Sequence, residues 1–150
     1  MKILIVEDDD YKLEKLKLLA KLEFGNITVT ASESLKEALE AITADVYDLI
    51  FVDMSIPSHP TIAGQGTPVP FNTGGLSVLM ELAAMQRSDP CIIITQYQEI
   101  EISGEYIPIG EVKEKLPMLL ECEVIACILY DEDNDNWQAE LNSIFKGLKL

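Results

Sequence analysis

Two stretches of the chain, KILIVEDD at residues 2–9 and DLIFVDMSIP at residues 48–57, place acidic residues directly after a short apolar run. Such runs are typical of strands that are buried on both faces of a parallel sheet. Ligands of these sheets bind beyond the carboxyl ends of the strands. The two stretches therefore predict an α/β fold with a parallel sheet and a candidate site at the carboxyl edge of that sheet.

The pattern of strand and helix continues through the rest of the chain. Further apolar runs at residues 27–30, 91–95 and 124–130 predict the second, fourth and fifth strands. The segments that separate and follow these strands carry apolar residues at helical spacing. They predict helices at about residues 8–25, 34–42, 74–87, 112–121 and 135–148.

Short-range signals support two of the helix starts. Asp9 or Asp10 is suited to cap the first helix, and Ser34 with Glu37 has the spacing of a capping box at the second. The first helix is expected to bury leucines at every third position, namely Leu13, Leu16, Leu19 and Leu22.

Strands that alternate with amphipathic helices favour right-handed crossovers and a sheet covered on both faces. We predict an α/β fold of the flavodoxin-like, doubly wound type, with five parallel strands in the order 2-1-3-4-5 and helices on both faces. The 150 residues suit a single domain over 1–150, with an inserted loop at about 57–75 and no output domain. This loop and the long connection at 96–110 are expected to be binding surfaces, or else mobile insertions without a role.

The overall charge limits the partners of the protein. Acidic residues number 26 against 11 basic ones, which gives a formal net charge of -15. This field repels phosphate backbones, so we expect no direct binding to nucleic acid. No apolar run reaches the roughly 20 residues that cross a bilayer, and the N-terminus lacks the pattern of a signal peptide. We therefore expect no contact with a membrane and a cytoplasmic location.

Glu7, Asp8 and Asp53 form the chemical signal of the sequence. They follow the first and third strands, which are neighbours in the predicted order, so their carboxylates are expected to meet in one crevice. Clustered carboxylates repel each other, and Mg²⁺ relieves that repulsion because it prefers oxygen ligands and also binds phosphate oxygens. Asp53 is then suited to accept a phosphoryl group covalently, and the Thr95 hydroxyl to donate a hydrogen bond to it. The alternative is that acids near helix starts only cap those helices.

These motifs resemble the receiver domain of bacterial two-component response regulators. The likeness includes V-E-D at residues 6–8, D-x-x-x-P at residues 53–57 and the threonine that closes CIIIT at residues 91–95, in an order of strands and helices that spans nearly the whole chain. It implies that a histidine kinase or phosphotransfer protein donates a phosphoryl group to an aspartate. Output then passes to a downstream protein through protein-protein contacts.

The resemblance also implies roles at the matching positions. Asp53 resembles the phosphorylated aspartate, and Thr95 the switch hydroxyl that turns toward the phosphoryl group. Asp8 resembles the direct ligand of Mg²⁺, and Glu7 the acid that holds a metal-bound water. Ser55 lies where the family uses a backbone carbonyl as a metal ligand. We therefore expect a single-domain response regulator, monomeric or weakly dimeric, whose only catalysis is of its own phosphorylation and dephosphorylation.

One position departs from the family. Receivers close the fifth strand with a lysine that pairs with the phosphoryl group, whereas this chain has Tyr130 in that place. Tyrosine donates a hydrogen bond but brings no charge at neutral pH, so a weaker switch is expected. Lys113 or Lys115, in the preceding segment, are candidates to replace the charge, although neither follows a strand.

Three other functions fit parts of the sequence. A pseudo-receiver, which binds partners without phosphorylation, agrees with the missing lysine and the long loops but not with the complete acidic set and Thr95. A flavodoxin-like redox protein needs a phosphate-binding loop after the first strand, where residues 7–10 are all acidic. A metal-dependent phosphatase with Asp53 as nucleophile needs a second acid or base soon after it, and residues 54–56 offer none.

Overall fold

The computed structural model describes residues 1–148, which form one parallel sheet, five helices and a separate hairpin. The strands are β1 (Lys2–Val6), β2 (Thr28–Ser32), β3 (Leu49–Val52), β4 (Cys91–Thr95), β5 (Glu99–Ile102), β6 (Glu105–Pro108) and β7 (Val124–Leu129). The helices are α1 (Asp10–Phe24), α2 (Leu35–Ala44), α3 (Gly74–Ala84), α4 (Ile109–Leu120) and α5 (Asn136–Gly147). Over these 148 residues, no helix is both long and apolar enough to cross a membrane.

The large sheet has the order β2-β1-β3-β4-β7, and all its neighbouring strands are parallel. This confirms the predicted order 2-1-3-4-5, because β7 is the fifth strand of the sheet along the chain. Val6, the last residue of β1, pairs with Ser32 of β2 and with Val52 of β3. The residues that follow β1 and β3 therefore leave the sheet side by side.

Two apolar clusters, one on each face of the sheet, hold the helices against it. Side chains of a strand alternate between the two faces, so Leu4 and Val6 of β1 belong to the cluster with α2, α3 and α4. Ile3 and Ile5 of the same strand belong to the cluster with α1 and α5. The largest fully buried side chains lie in this second cluster: Trp137, Phe51 and Phe145.

The starts of α1 and α2 confirm the predicted caps. The Asp9 side chain accepts a hydrogen bond from the N–H of Lys12 at 2.8 Å, and Ser34 Oγ accepts one from the N–H of Glu37 at 3.2 Å. The predicted leucine stripe of α1 is wrong at its end, since Leu22 is 73% exposed. Three residues turn a helix by only about 300°, which is less than a full turn. Leucines at every third position therefore move gradually around the helix and away from its buried face.

The connection at residues 96–110 contains the antiparallel hairpin of β5 and β6, which the sequence analysis missed. Ile100, Ile102 and Ile107 are buried in the cluster with α4, so the segment is part of the core and not a mobile insertion. The turn of the hairpin is Ser103-Gly104, with φ angles of 53° and 82°, as two-residue hairpin loops require. Alternation of glutamate and isoleucine is a strand signal, but over four residues it is weak.

Asp89, just before β4, joins segments at the amino ends of the strands. Its carboxylate accepts hydrogen bonds from the N–H of Tyr47 and from Nε of Arg87, both at 2.8 Å. Arg87 also donates to the carbonyl oxygen of Ile42 in α2. Burial acts to raise the pKa of Asp89, but the hydrogen bonds and charge of Arg87 and the Tyr47 N–H together lower it below its ordinary value.

We expect Asp89→Asn to lower the free energy of unfolding by about 1.5–3 kcal/mol at neutral pH, because it removes a hydrogen-bonded charge. The pKa of Asp89 is lower in the folded than in the unfolded chain. Its contribution is therefore complete above the ordinary pKa of 3.8, and it is lost as the pH falls through the folded-state pKa. Urea unfolding of parent and variant, at neutral and at progressively more acidic pH, measures this difference.

Glu14→Gln is the control for this prediction, because it removes an exposed pair with Lys17 and should change stability little. A difference between parent and Asp89→Asn that stays constant into the acidic range would contradict the proposed origin of the stability.

Candidate functional site

Three carboxylates lie at the carboxyl edge of the sheet, where β1 and β3 end. Glu7, Asp8 and Asp53 each offer an oxygen within 4.8 Å of the others. They line a cavity of about 330 Å³. Its other lining residues come from α1, from the loops after β3 and β4, and from the end of β7: Asp9, Lys12, Ser55, Pro70, Gln96, Tyr97, Tyr130 and Glu132. The fold thus brings together the three acids that the sequence analysis singled out.

Backbone hydrogen bonds fix the points at which these acids leave the sheet. The N–H of Asp53 donates to the carbonyl oxygen of Val6 at 2.9 Å, which continues the pairing of β1 with β3. Oε1 of Glu7 accepts a hydrogen bond from the N–H of Asp9 at 3.0 Å. Glu7 is 1% exposed and Asp53 is 8% exposed, whereas Asp8 is half-buried. Two of the three acids are therefore held inside the protein.

A buried lysine, which the sequence analysis missed, lies between these acids. Lys12, in the first turn of α1, is 3% exposed. Its Nζ lies 2.6 Å from Oε2 of Glu7 and 3.1 Å from Oδ2 of Asp53, and it donates a hydrogen bond to the carbonyl oxygen of Ile94 at 2.8 Å. The sequence contained a signal, since Lys12 precedes Leu16 by four residues and so shares its buried face. A lysine at a core-facing position is informative, because lysine is rarely fully buried unless it is paired.

Burial and crowding change the acid strengths at the site. Burial raises the pKa of Glu7 to about 7, an effect that the Lys12 ammonium opposes and the Asp53 carboxylate reinforces. Burial also raises the pKa of Asp8, and the charge of Asp53 adds to that rise. A further cation at the site would oppose these rises and favour the ionised forms of both acids.

The donor atoms suit a hard divalent cation. All three acids offer oxygens, and Mg²⁺ commonly takes one or two carboxylates together with water and phosphate oxygens. Oε2 of Glu7 is buried and has the ion pair with Lys12, but no hydrogen-bond partner of good geometry within residues 1–148. A metal-bound water would supply that hydrogen bond. The residues present therefore fit Mg²⁺.

Ser55 and Thr95 form hydrogen bonds in the loops that surround the cavity. The N–H of Ser55 donates to Oδ1 of Asp53 at 3.4 Å, and Oγ of Ser55 accepts a hydrogen bond from the Tyr97 hydroxyl at 3.4 Å. Thr95 is fully buried at the end of β4, and its hydroxyl oxygen accepts a hydrogen bond from the N–H of Tyr97 at 3.3 Å. Gln96 and Tyr97, which follow it, line the cavity. The Thr95 hydroxyl is thus bound to its own loop.

Tyr130, directly after β7, lines the cavity beside Lys12. The Lys12 Nζ lies 5.0 Å from the centre of the Tyr130 ring, within the range of a cation–π interaction. The ring also packs on Trp137, with the two ring centroids 5.0 Å apart. Burial and the neighbouring acids raise the pKa of the phenol to about 12. At neutral pH Tyr130 is therefore an uncharged hydrogen-bond donor.

The two lysines that the sequence analysis offered as substitutes lie elsewhere. Lys113 and Lys115 are exposed on α4, and Lys115 forms an ion pair with Glu111. That expectation is wrong, because the ammonium beside Asp53 belongs to α1. A helix that begins soon after β1 places its first turn at this edge of the sheet, so a lysine of that turn reaches Asp53 although it does not follow a strand.

The inserted loop at 57–75 is anchored at both ends. The carbonyl oxygens of Pro57 and Ser58 accept hydrogen bonds from N–H groups in the first turn of α2. Ile56 and Phe71 form an antiparallel bridge across the base of the loop. Most residues between these anchors are exposed. The ends of the loop therefore contribute to the fold, while its middle faces solvent.

Gly75 brings α3 against the backbone of Asp53. Its N–H donates to the carbonyl oxygen of Met54 at 3.0 Å. A Cβ at position 75 would overlap the carbonyl oxygen of Asp53 and lie 2.8 Å from the Cα of Met54. Only glycine therefore allows α3 to begin at this position without displacing the acid.

Comparisons with known proteins agree with this geometry. The family model of the response regulator receiver domain matches residues 3–113. A protein from Vibrio alginolyticus named Detocs response regulatory protein DtcB is 36% identical over 150 residues, covering 97% of this chain and 99% of that protein. A protein of the same name from Enterobacter cloacae is 27% identical over 143 residues, covering 94% of this chain and 95% of that protein.

Solved structures show the same fold. A response regulator from Colwellia psychrerythraea has a TM-score of 0.60 at 19% identity, covering 98% of both chains. The response regulator TrrA from Thermotoga maritima, in complex with Mg²⁺-BeF, has a TM-score of 0.55 at 19% identity, covering 95% of this chain and 97% of that chain.

We expect Gly75→Ala to lower the free energy of unfolding by about 1–3 kcal/mol, the usual range for a group forced into a packed site. It should also shift the amide NMR signals of Asp53 and its neighbours, because the added Cβ displaces that backbone. Gly110→Ala is the control, since nothing lies within 4 Å of a Cβ at that position in α4. It should leave stability unchanged or slightly higher. Equal stability of Gly75→Ala and the parent would show that α3 does not pack on Asp53 as described.

Proposed function

The chain belongs to the response regulator receiver domain family, and from this premise we propose that Asp53 accepts a phosphoryl group. The observation that carries the proposal is the meeting of Asp53 with Glu7, Asp8 and one ammonium group at the carboxyl edge of the sheet. Within residues 1–148, the ion pairs at these three carboxylates come from Lys12, which pairs with Glu7 and Asp53. Perturbed acids beside a cavity are typical of functional sites, and a surplus of carboxylates suits one that takes up a cation and a phosphoryl group.

In the proposed reaction, an oxygen of the Asp53 carboxylate attacks the phosphorus of a phosphorylated histidine. The new O–P bond forms as the P–N bond breaks, and the imidazole nitrogen keeps the electron pair and takes a proton from solvent. The donor is a histidine kinase or a phosphotransfer protein. The cavity of about 330 Å³ beside Asp53 provides the space in which the phosphoryl group approaches.

We propose that Asp8, Asp53 and the backbone carbonyl of Ser55 hold a Mg²⁺ ion, and that Glu7 holds a water bound to it. When bound, the ion neutralises charge on the carboxylates and on the phosphoryl oxygens. The chain's own residues contribute by keeping Glu7 and Asp53 buried, where water screens their charge only weakly. The complex of TrrA with Mg²⁺-BeF supports the proposal through the shared fold.

Thr95 and Tyr130 are the proposed responders to phosphorylation. The Thr95 hydroxyl would turn toward the phosphoryl group and release the N–H of Tyr97, to which it is now bonded. The protonated hydroxyl of Tyr130 would donate a hydrogen bond at the same site. A structural change would therefore begin in the loop after β4, which also carries the contact of Tyr97 with Ser55.

We further propose that the chain acts as a single-domain receiver through contacts with a downstream protein. The two DtcB proteins support this, because each aligns with the chain over nearly its whole length. The thiols of Cys91, Cys122 and Cys127 are free, which agrees with a reducing, cytoplasmic compartment. The proposed state is a monomer or a weak homodimer.

Incubation with Mg²⁺ and acetyl phosphate should add one phosphoryl group to the protein, as measured by intact mass. Asp53→Asn should abolish the adduct, because the nucleophile is removed. Asp8→Asn should slow its formation by roughly tenfold or more at limiting Mg²⁺, because a metal ligand is lost. Asp10→Asn is the matched control, since Asp10 is an exposed acid at the start of α1, and its rate should equal that of the parent.

An adduct that persists in Asp53→Asn would contradict the assignment of the phosphoacceptor. The second candidate function is a pseudo-receiver that binds partners without phosphorylation, and Tyr130 at the end of β7 is the observation that favours it. A parent protein that binds Mg²⁺ but forms no adduct would support that candidate.

A further inference from the structure

We propose that Lys12 supplies the positive charge of the phosphoryl-transfer site, in place of the lysine that receivers carry at the end of the fifth strand. This proposal rests on Asp53 as the phosphoacceptor. Lys12 is a catalytic residue in this account, because it contacts the carboxylate that reacts. The cation reaches the site from the first turn of α1 and not from β7.

Three contacts hold the Lys12 ammonium in place. Its Nζ forms ion pairs with Oε2 of Glu7 at 2.6 Å and Oδ2 of Asp53 at 3.1 Å, and it donates a hydrogen bond to the carbonyl oxygen of Ile94 at 2.8 Å. With 3% of the residue exposed, solvent has little access to the group. The ammonium is therefore fixed beside the reacting carboxylate before any phosphoryl donor arrives.

Without the neighbouring acids, this position would be unfavourable for lysine. A cation in the first turn of a helix opposes the helix dipole, which favours anions there. Burial of an ammonium group is unfavourable unless acids compensate it. An apolar residue in place of Lys12 alone would leave the Glu7 and Asp53 carboxylates buried without compensation, which is typically destabilising. What lysine provides at position 12, and an apolar residue does not, is a positive charge next to Asp53.

The position of Tyr130 explains why this charge need not come from β7. The Tyr130 ring lies 5.0 Å from the Lys12 Nζ and packs on Trp137, so the side chains of residues 12 and 130 reach the same part of the cavity. Two ammonium groups at this spacing would repel each other. The tyrosine after β7 and the lysine in α1 are thus linked departures from the family pattern: the cation lies in α1, and a neutral side chain occupies the strand end.

The reaction moves negative charge from the Asp53 carboxylate to the phosphoryl oxygens, and Lys12 is placed to pair with that charge before and after transfer. Before transfer, the ammonium pairs with the Asp53 carboxylate at 3.1 Å. Attack forms an O–P bond and breaks the bond from phosphorus to the leaving group, which departs with the electron pair. The carboxylate becomes an uncharged acyl group, and the negative charge now lies on the phosphoryl oxygens. Held by Glu7 and Ile94, the ammonium is placed to pair with those oxygens without giving up a proton.

Lys12→Met tests the proposal through two quantities. With acetyl phosphate and saturating Mg²⁺, phosphorylation of Asp53 should slow roughly 10- to 100-fold, the range for the loss of one hydrogen bond to a charged group. The affinity for Mg²⁺ alone, measured by calorimetry, should rise, because a neighbouring cation no longer repels the ion. Lys17→Met is the control, since Lys17 lies on α1 and pairs with the exposed Glu14, and both quantities should match the parent.

The double variant Lys12→Met/Tyr130→Lys moves the ammonium to the strand end. We expect it to recover most of the lost rate, because the side chain of residue 130 reaches the same space. The double variant also keeps the proposal testable if Lys12→Met fails to fold, since it retains one cation for Glu7 and Asp53. A double variant that is folded by amide NMR but still roughly tenfold slower than the parent would overturn the proposal.

The remaining outcomes separate this proposal from the proposed function. Equal rates in the parent and Lys12→Met would overturn the role of Lys12 and leave Asp53 as the phosphoacceptor. A fall in both the rate and the Mg²⁺ affinity would show that Lys12 only maintains the structure of the site, which also overturns the role. A parent that forms no adduct at all would overturn the proposed function itself.

Discussion

The ion pairs of Lys12 with Glu7 and Asp53 are the interaction on which the rest of the site depends. They place one ammonium between two buried carboxylates, at 2.6 Å and 3.1 Å. Removal of one partner from such a buried pair typically costs about 3–5 kcal/mol, because the remaining charge is left without compensation. The helix cap helps to position this lysine. The Asp9 side chain accepts a hydrogen bond from the N–H of Lys12, so the cap fixes the backbone from which the lysine side chain extends.

Lys12 neutralises only part of the negative charge of the site. The remaining charge favours the uptake of a cation, which the proposed chemistry needs. Lys12 pairs with Glu7 and Asp53 but not with Asp8 among the described residues, and burial still raises the pKa of Glu7 to about 7. The fold thus brings three acids together around one ammonium and leaves an excess of negative charge that favours a further cation. The neutral Tyr130 beside Lys12 adds a hydrogen-bond donor and no second positive charge.

Much of the fold and the acidic set could be predicted from the sequence, because short apolar runs followed by acids are a strong and local signal. The order of the sheet is confirmed, and Glu7, Asp8 and Asp53 lie together as expected. The hairpin of β5 and β6 was missed because its strands are only four residues long, and two of the four residues of β5 are glutamates. Lys12 was missed because its burial and its acidic partners depend on tertiary contacts. It is one of several lysines in α1, and its position toward the sheet distinguishes it from the exposed ones.

The most direct test of the account is a crystal structure of the protein with Mg²⁺ and beryllofluoride, a mimic of the phosphoryl group. We expect beryllofluoride on Asp53, the Lys12 Nζ within hydrogen-bonding distance of a fluorine, and the Tyr130 ring still packed beside the ammonium. A structure in which Lys12 has turned away from Asp53, so that no cationic side chain of the protein contacts the mimic, would contradict this expectation.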